Sequence, residues 1–452
     1  MLKAQNLLIN QVHKIIHKKK GRTEFMNSNL KKYLTLIILG LAGGSIYIFP
    51  YLKYVFYDPL IQVLHISDTQ SGLLLTMYAI GCVILYIPGG ILADKMNPKK
   101  ALIMSLAVAT VLTGAFALAI LLDLPGSVAY GISLVIWLLM AFASGFVFWT
   151  ALLKAIRIIG TEEEQGTMYG IYYAANGTTA AIIAAVNLWA YNIGGGDSSM
   201  KSGFFWAVVS MAAFTLLATV LIAIFLDGKS DKDLSTAEED KFHFSDVVTV
   251  LKNPAVWMIS IVFFCVYGTY SCSSYFTPYL TDIVKLSTTA AGVCAILRQY
   301  IVMLVAAPLG GILADKVFKS TLGWFRFGGI VLAISIILVI LVGTGAPSML
   351  IAVLTLIPGL FSMCLYGVMF STMHEINIPL KVAGTAIGIA SIVGYLPDMF
   401  LNTIFGNILD KSAGASGYFQ IFGILAVFCV VVVVICSYLY SKYVKPAKKS
   451  DK

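Results

Sequence analysis

Residues 89–95 read Gly89-Gly90-Ile91-Leu92-Ala93-Asp94-Lys95, and the same seven letters return as Gly310-Gly311-Ile312-Leu313-Ala314-Asp315-Lys316. Each copy closes a long apolar stretch. Chance identity over seven positions is improbable, so the chain reads as a duplicated unit, and parallel repeats about an axis along the membrane normal are a known transporter plan. The composition around the repeat agrees: 59% of the 452 residues are hydrophobic and only 12% are charged. Lipid is the solvent such a balance requires.

A helix needs about 20 apolar residues to cross the hydrocarbon core. The sequence offers twelve such spans, at 33–57, 70–93, 100–122, 128–153, 167–192 and 203–226, then at 254–280, 289–313, 322–343, 348–373, 383–408 and 417–441. Runs such as Ile336 to Val342 and Val427 to Ile435 are apolar all round and do not alternate, which argues against a membrane barrel. The predicted fold is all-α, with twelve transmembrane helices in two pseudo-symmetric six-helix bundles, 33–226 and 254–441. A charged linker, 227–253, lies between them, with a basic extension, 1–32, before and a basic tail, 442–452, after. Leu8, Val12, Ile15 and Ile16 in the extension have the spacing of a surface-lying amphipathic helix. Met26 is a second candidate start.

The formal charge of +9 does not point to nucleic acid, because its placement is topological. With the N-terminus inside, 26 of the 31 Lys and Arg fall in cytoplasmic tails, loops and helix ends, and only Lys201, Lys285 and Lys411 face outward. This asymmetry predicts both termini in the cytoplasm and insertion in the cytoplasmic (inner) membrane. The seven cysteines lie in apolar segments without metal-ligand spacing and read as packing residues. No cofactor, metal or nucleotide loop is expected, and the chain reads as a transporter, not an enzyme. A monomer is expected, with the bilayer as its surroundings.

The first motif copy, Gly90-xxx-Asp94-Lys95-x-Asn97-x-Lys99-Lys100, resembles the signature of the major facilitator superfamily. Asn97 stands where the family usually has Gly, a change a left-handed turn would tolerate. The second copy keeps Asp315-Lys316 and continues Val317-Phe318-Lys319-Ser320, a degenerate form. The resemblance implies that Gly90, Asp94, Lys95, Gly311, Asp315 and Lys316 form an inside latch of the outward-facing state. The glycines would permit close helix contact and the Asp would accept from a neighbouring helix N-terminus or pair with a cation.

Two cations lie within apolar spans: Lys53 on the first and Arg298 on the eighth. Each costs roughly 2.5–3.5 kcal/mol or more at mid-membrane, so both are expected to face a wet path, unless Lys53 snorkels to the outer surface. Arg grips carboxylate, phosphate or sulfonate through paired hydrogen bonds and Lys adds a point charge, so the implied substrate is a small anion. The arrangement resembles the glycerol-phosphate, oxalate and nitrate carriers of the superfamily, which use intramembrane basic residues. Thr277-Pro278-Tyr279-Leu280 is similar to the organophosphate branch, but Tyr270 stands near the place of that branch's seventh-span Arg.

Polar stripes at the spacing of one helical face mark three spans: Tyr169, Tyr172, Tyr173 and Asn176; Tyr267, Tyr270, Ser271 and Ser274; and Ser391, Tyr395, Asp398 and Asn402. Hydroxyls and amides facing lipid would lack partners, so these are expected to line the path or to pack between helices. Asp398 is the deep carboxylate, either an ion-pair partner for Arg298 or a proton-coupling site. His374, Glu375, Lys154 and Arg157 read as loop charges at the inner face. The sequence-level function is a secondary transporter of a small organic anion, by proton symport or exchange for a counter-anion. If Asp398 neutralises Arg298, the alternatives are a carrier of a neutral or zwitterionic solute, or a transporter-like ligand sensor.

Overall fold

The computed structural model describes residues 30–159, 164–226, 250–343, 345–376, 378 and 380–445. Most of the basic extension, the linker and the tail, including Met26 and the amphipathic stretch, lie outside the described residues. Among the described residues there is no strand, and ten helices are long and apolar enough to cross a membrane. Two further helices, at residues 30–46 and Gln165–Ile193, are consistent with the expected twelve. The first is interrupted early, and the second carries the Tyr, Asn and Thr side chains that lower its hydropathy.

Numbered in chain order, α1 is 30–46, α2 Asp68–Lys95, α3 Pro98–Leu121, α4 Gly126–Ala141 running on to Ile159, α5 Gln165–Ile193 and α6 Met200–Phe225. The second set is α7 Pro254–Cys272 running on to Asp282, α8 Thr288–Ile296 running on to Val317, α9 Thr321–Val342, α10 Ser348–Leu354 with Leu356–Tyr366, α11 Leu380–Tyr395 with Pro397–Lys411, and α12 Ala415–Leu439. Buried apolar side chains form two main clusters. One is drawn from residues 36–226 with Ala295 and Ile296 added; the other is drawn from 255–439 with Tyr57 added.

Among the interrupted helices, four bear on the polar centre described below. Pro50 has no N–H and disfavours helix just before it, so α1 gives way to a turn at 47–50 and a 3-10 turn, Leu52–Tyr54. The Pro50 carbonyl freed by that break accepts from Trp137 Nε1 at 3.0 Å. In α7 a 3-10 turn, Ser273–Tyr275, interrupts the helix. Pro397 splits α11 and leaves Asp398 in the first turn of the second piece, where the helix dipole favours a negative charge.

The fourth break is in α8, where Leu297–Ile301 winds as a π-turn. Comparison of the repeats bears on it. Ser67 and Ser287, both helix N-caps, stand 220 residues apart, as do Gly72 and Gly292, whereas Gly89 and Gly310 stand 221 apart. One extra residue therefore lies in α8 between these landmarks; Pro88 and Pro308 also stand 220 apart, so the extra letter falls beside Gly310, while a helix usually takes up such a residue in a π-turn. Arg298 sits in that turn.

In the second copy of the repeated motif the close packing lies one residue away from where the sequence reading placed it. A Cβ on Gly89 would lie 1.8 Å from the Phe146 carbonyl oxygen of α4, and one on Gly310 would lie 2.1 Å from the Cys364 carbonyl oxygen of α10. Gly311, by contrast, would meet nothing nearer than 4.0 Å, so in the second copy the close approach belongs to the first glycine of the pair. The surroundings of Gly90 and Asp94 lie outside the described side chains, while Lys95, Asp315 and Lys316 are exposed. Asn97 is not left-handed either. Its φ of −67° and ψ of 126° are extended, and its Oδ1 caps α3 by accepting from the Lys99 and Lys100 amides. Glu375 is likewise no solvated loop charge: its carboxylate caps α9, accepting from Ser320 Oγ and from the Thr321 and Leu322 amides.

At the end of the molecule away from the termini the two halves are pressed together. A Cβ on Gly72 of α2 would lie 2.2 Å from the Asn402 carbonyl oxygen of α11, and one on Gly406 would lie 2.2 Å from the Asp68 carbonyl oxygen. Asp410, at the end of α11, accepts from the Asp68 and Thr69 amides at 3.0 and 2.9 Å and so caps α2 of the other half. Asp197, after α5, accepts from the Thr288 amide at 3.1 Å and caps α8 in the same way. Towards the termini, the Leu380–Tyr395 piece of α11 packs on α7, while only Pro397–Lys411 makes the main α2 contact. Gly170 and Gly388 there face open space, and Tyr173 and Tyr395 are 48% and 36% exposed. The halves are pressed together at the far end and held less closely towards the termini.

Two predictions follow from this packing. Gly89→Val and Gly310→Val should each cost about 1–3 kcal/mol through overpacking, while Gly311→Val should be near neutral, as read by thermal unfolding of purified protein. Asp58, on the short helix Tyr57–Leu64 outside the spans, has its carboxyl pushed up to about 7 by burial and then by the Asp282 charge. Folding thus favours its protonated form. Its contribution is greatest below the unfolded pKa near 3.8 and declines as pH rises through about 7. Asp58→Asn should therefore flatten the fall in melting temperature over that window.

Candidate functional site

The broken segments converge on one polar network that spans both halves. Asp398 is 6% exposed, and its Oδ1 accepts from Ser271 Oγ at 2.6 Å. Its Oδ2 accepts from Tyr267 OH at 2.5 Å and Tyr51 OH at 3.2 Å. Because Ser271 gives its proton to Asp398, Tyr54 OH at 3.0 Å must donate to Ser271. Tyr51 and Tyr54 come from the 3-10 region after α1; the others come from α7 and α11. A buried carboxylate is thus satisfied by hydroxyls alone, and the ion pair with Arg298 that the sequence allowed is not formed.

Arg298 is 3% exposed, and its Nη2 donates to Thr277 Oγ1 at 2.7 Å. Thr277 in turn donates to the Tyr54 carbonyl at 3.0 Å, which ties the arginine to the other half. The Phe276 ring centroid lies 5.6 Å from the guanidinium carbon. Nε and Nη1 have no acceptor. Gly359 of α10 makes room for the arginine stem, since a Cβ there would stand 2.3 Å from Arg298 Cγ.

Lys53 does not snorkel. It is 2% exposed, its Nζ has no hydrogen-bond partner, and it rests 5.0 and 5.7 Å from the ring centroids of Tyr275 and Tyr57. An isolated buried ammonium or guanidinium carries a desolvation penalty of several kcal/mol, which cation–π contacts of roughly 1–2 kcal/mol offset only in part. Among the described residues neither cation is joined to a carboxylate by an ion pair.

Beside the network stands an aromatic group. Tyr270 stacks on Tyr366 at 4.6 Å and 3°, Tyr267 meets Tyr395 edge-on at 4.6 Å, and Tyr366 OH lies 3.5 Å from Tyr395 OH. The structure thus brings Tyr267, Tyr270, Ser271, Tyr395 and Asp398 together, with Lys53 on the 3-10 turn beside Tyr51 and Tyr54 and Arg298 on α8, linked to them through Thr277 and the Tyr54 carbonyl. It does not bring the α5 stripe to them. Asn176 Nδ2 donates to Tyr172 OH at 2.8 Å, and both pack where a Cβ on Gly43 of α1 would fall, inside the first half. Tyr173 alone of that stripe is exposed towards the path. Sequence reasoning passed over Tyr51, Tyr54, Thr277 and Tyr366 as site members. Tyr51 and Tyr54 flank Lys53 in sequence, so the costly cation was itself the signal for them.

Twelve helices in duplicated halves around a buried polar centre match one known group across most of the chain, for residues 33–401 fit the Major Facilitator Superfamily. The chain belongs to the major facilitator superfamily. It is accordingly a membrane transporter and not an enzyme. Among its relatives, the inner membrane protein YihN of Escherichia coli K12 is 28% identical, over 88% of this chain and 93% of the relative. The probable sulfoacetate transporter SauU of Cupriavidus necator is 28% identical over 81% and 85%, and the hexuronate transporter of Bacillus subtilis is 23% identical over 82% and 86%. A crystal structure of a D-xylose-proton symporter superposes with a TM-score of 0.71 at 16% identity, over 91% of this chain and 97% of that one. This superfamily fold is the frame on which the polar centre is mounted.

The hydroxyl clamp on Asp398 has a measurable consequence. Asp398→Leu leaves three buried hydroxyls without their acceptor, at about 1–3 kcal/mol for each group left unsatisfied, whereas Asp398→Asn keeps an acceptor oxygen. The Leu variant should unfold at a clearly lower temperature than the Asn variant.

Proposed function

We propose that the protein moves a small organic anion across the cytoplasmic membrane by alternating access, with both termini in the cytoplasm. The observation that carries this reading is Arg298: buried, charged, and left with Nε and Nη1 free of any protein acceptor. Free guanidinium N–H groups in a dry site suit a carboxylate or sulfonate, and no ion pair joins Arg298 to Asp398, whose oxygens accept from Ser271, Tyr267 and Tyr51. This favours an anion over the neutral-substrate alternative. Two relatives named for sulfoacetate and hexuronate, both carboxylate-bearing solutes, support the same class.

Lys53 adds a second positive charge, and Tyr267, Tyr270 and Tyr395 close around the rest of the solute. Tyr172, Tyr173, Asn176 and Ser271 shape the walls and the network, not the anion contact. Asp398 is the coupling group of proton symport: with no cation bound to it, it takes up or gives back a proton without breaking an ion pair. The basic asymmetry of the loops supports the orientation, so that the less closely held end faces the cytoplasm. Asp94, Lys95, Asp315 and Lys316 lie at that end, where they latch it when the far end opens.

A thermal-shift screen of small anions, sugars and amino acids on wild type and Arg298→Ala tests the reading. Saturating anion at 100 times Kd stabilises by about 2.7 kcal/mol, so a carboxylate or sulfonate should raise the melting temperature of wild type and leave the variant unmoved. Stabilisation of both proteins alike, or by neutral compounds only, refutes it. Asp398→Asn should retain anion exchange while losing proton-driven uphill uptake into proteoliposomes.

A further inference from the structure

Lys53 and Arg298 are both buried cations without a carboxylate, but they are sealed by different walls. The stem of Arg298 lies against Gly359, its guanidinium over Phe276, and its Nη2 on Thr277, all from the second half to which it belongs. These contacts therefore travel with it when the halves rock, apart from the tie that Thr277 makes to the Tyr54 carbonyl of the first half. The cage of Lys53 is divided. Lys53 and Tyr57 belong to the first half by sequence, whereas Tyr275 belongs to α7 of the second, and the two rings meet at 6.0 Å with Lys53 Nζ against both.

The same division marks the lid over this cage. Tyr57 OH donates to Asp68 Oδ1 at 2.7 Å, and Asp68 opens the helix that Asp410 caps from the other half. Tyr275 OH donates to the Asn402 carbonyl at 2.9 Å, the oxygen against which Gly72 is pressed. Each wall of the cage is thus wired to one side of the far-end closure. Parting α2 from α11 must carry Tyr57 and Tyr275 apart and uncover the ammonium.

From this we infer that Lys53 is an anion-binding group in only one of the two access states. It is hidden while the far end is closed and presented to incoming substrate when that end opens. Arg298 serves both states. The far-end face thereby carries two cations and the termini-end face one, so the substrate is drawn in with more charge than holds it at release. This inference rests on the anion-transport reading, but its first test does not.

The first test is accessibility. In a background lacking other reactive cysteines, Lys53→Cys should react with a membrane-impermeant thiol reagent from the far-end side and not from the termini side. Adding Asp410→Asn and Asp197→Asn, which weaken the two cross-half caps, should speed that reaction. Equal reaction from both sides, or none from either with the caps weakened, overturns the divided cage. The second test is side-resolved flux in oriented proteoliposomes with sulfoacetate and glucuronate as probes. Lys53→Met should raise KM about tenfold or more from the far-end side, as expected for loss of a charged hydrogen bond, with KM from the termini side within about twofold. Arg298→Met should raise both. A Lys53→Met effect equal on the two sides overturns the inference, even if transport of the probe upholds the function. If wild type moves neither probe, the function falls, and the accessibility result alone decides the cage.

Discussion

A positive charge held away from water must find a counter-charge, give up its proton or be kept for a visitor. Much of this architecture can be understood from that constraint. Arg298 cannot give up its proton at any ordinary pH, and among the described residues no carboxylate pairs with it, which is why it is proposed as part of a site that is periodically filled. Thr277 takes one of its five N–H groups and passes the contact to the Tyr54 carbonyl, which steadies the guanidinium without neutralising it. Asp398, the carboxylate that could have quenched it, is occupied by three hydroxyls.

That arrangement depends on interrupted helices. A regular helix satisfies its own backbone and presents side chains only at its surface, whereas a break at depth frees polar groups and re-aims neighbours. Pro50 and Pro397 produce two such breaks, and a 3-10 turn in α7 and a π-turn in α8 produce two more. The breaks are affordable because each lies inside the protein, where a neighbour can take up what is freed, as Trp137 does for Pro50.

The fold was legible because duplication and hydropathy are both written in one dimension. The repeated heptapeptide and the twelve apolar stretches required no knowledge of contacts. Lys53, Arg298 and Asp398 were legible for a related reason, since a charge in an apolar run is costly wherever the helix faces. What escaped reading was direction. Gly310 and Gly311 are equivalent as letters, and only the position of Cys364 decides which must lack a side chain. The stripe of Tyr172 and Asn176 has the same spacing as that of Tyr267 and Ser271, yet one faces α1 and the other the network. Glu375 looked like a loop charge because the helix end it caps lies 54 residues away in sequence. Proline announced its two breaks; the 3-10 and π-turns carried no letter of their own.

The π-turn in α8 has a consequence for the cargo. Apart from it, α2 and α8 follow the same plan, with a serine cap, a glycine against the opposite half and the shared heptapeptide. The two bundles are therefore near-twins along these helices and differ at the turn that carries Arg298. On the proposed reading, in which Arg298 holds the substrate anion in both access states, the acidic end of the cargo keeps one heading throughout the cycle, so it is the protein that turns about the cargo, and the cargo is never required to tumble.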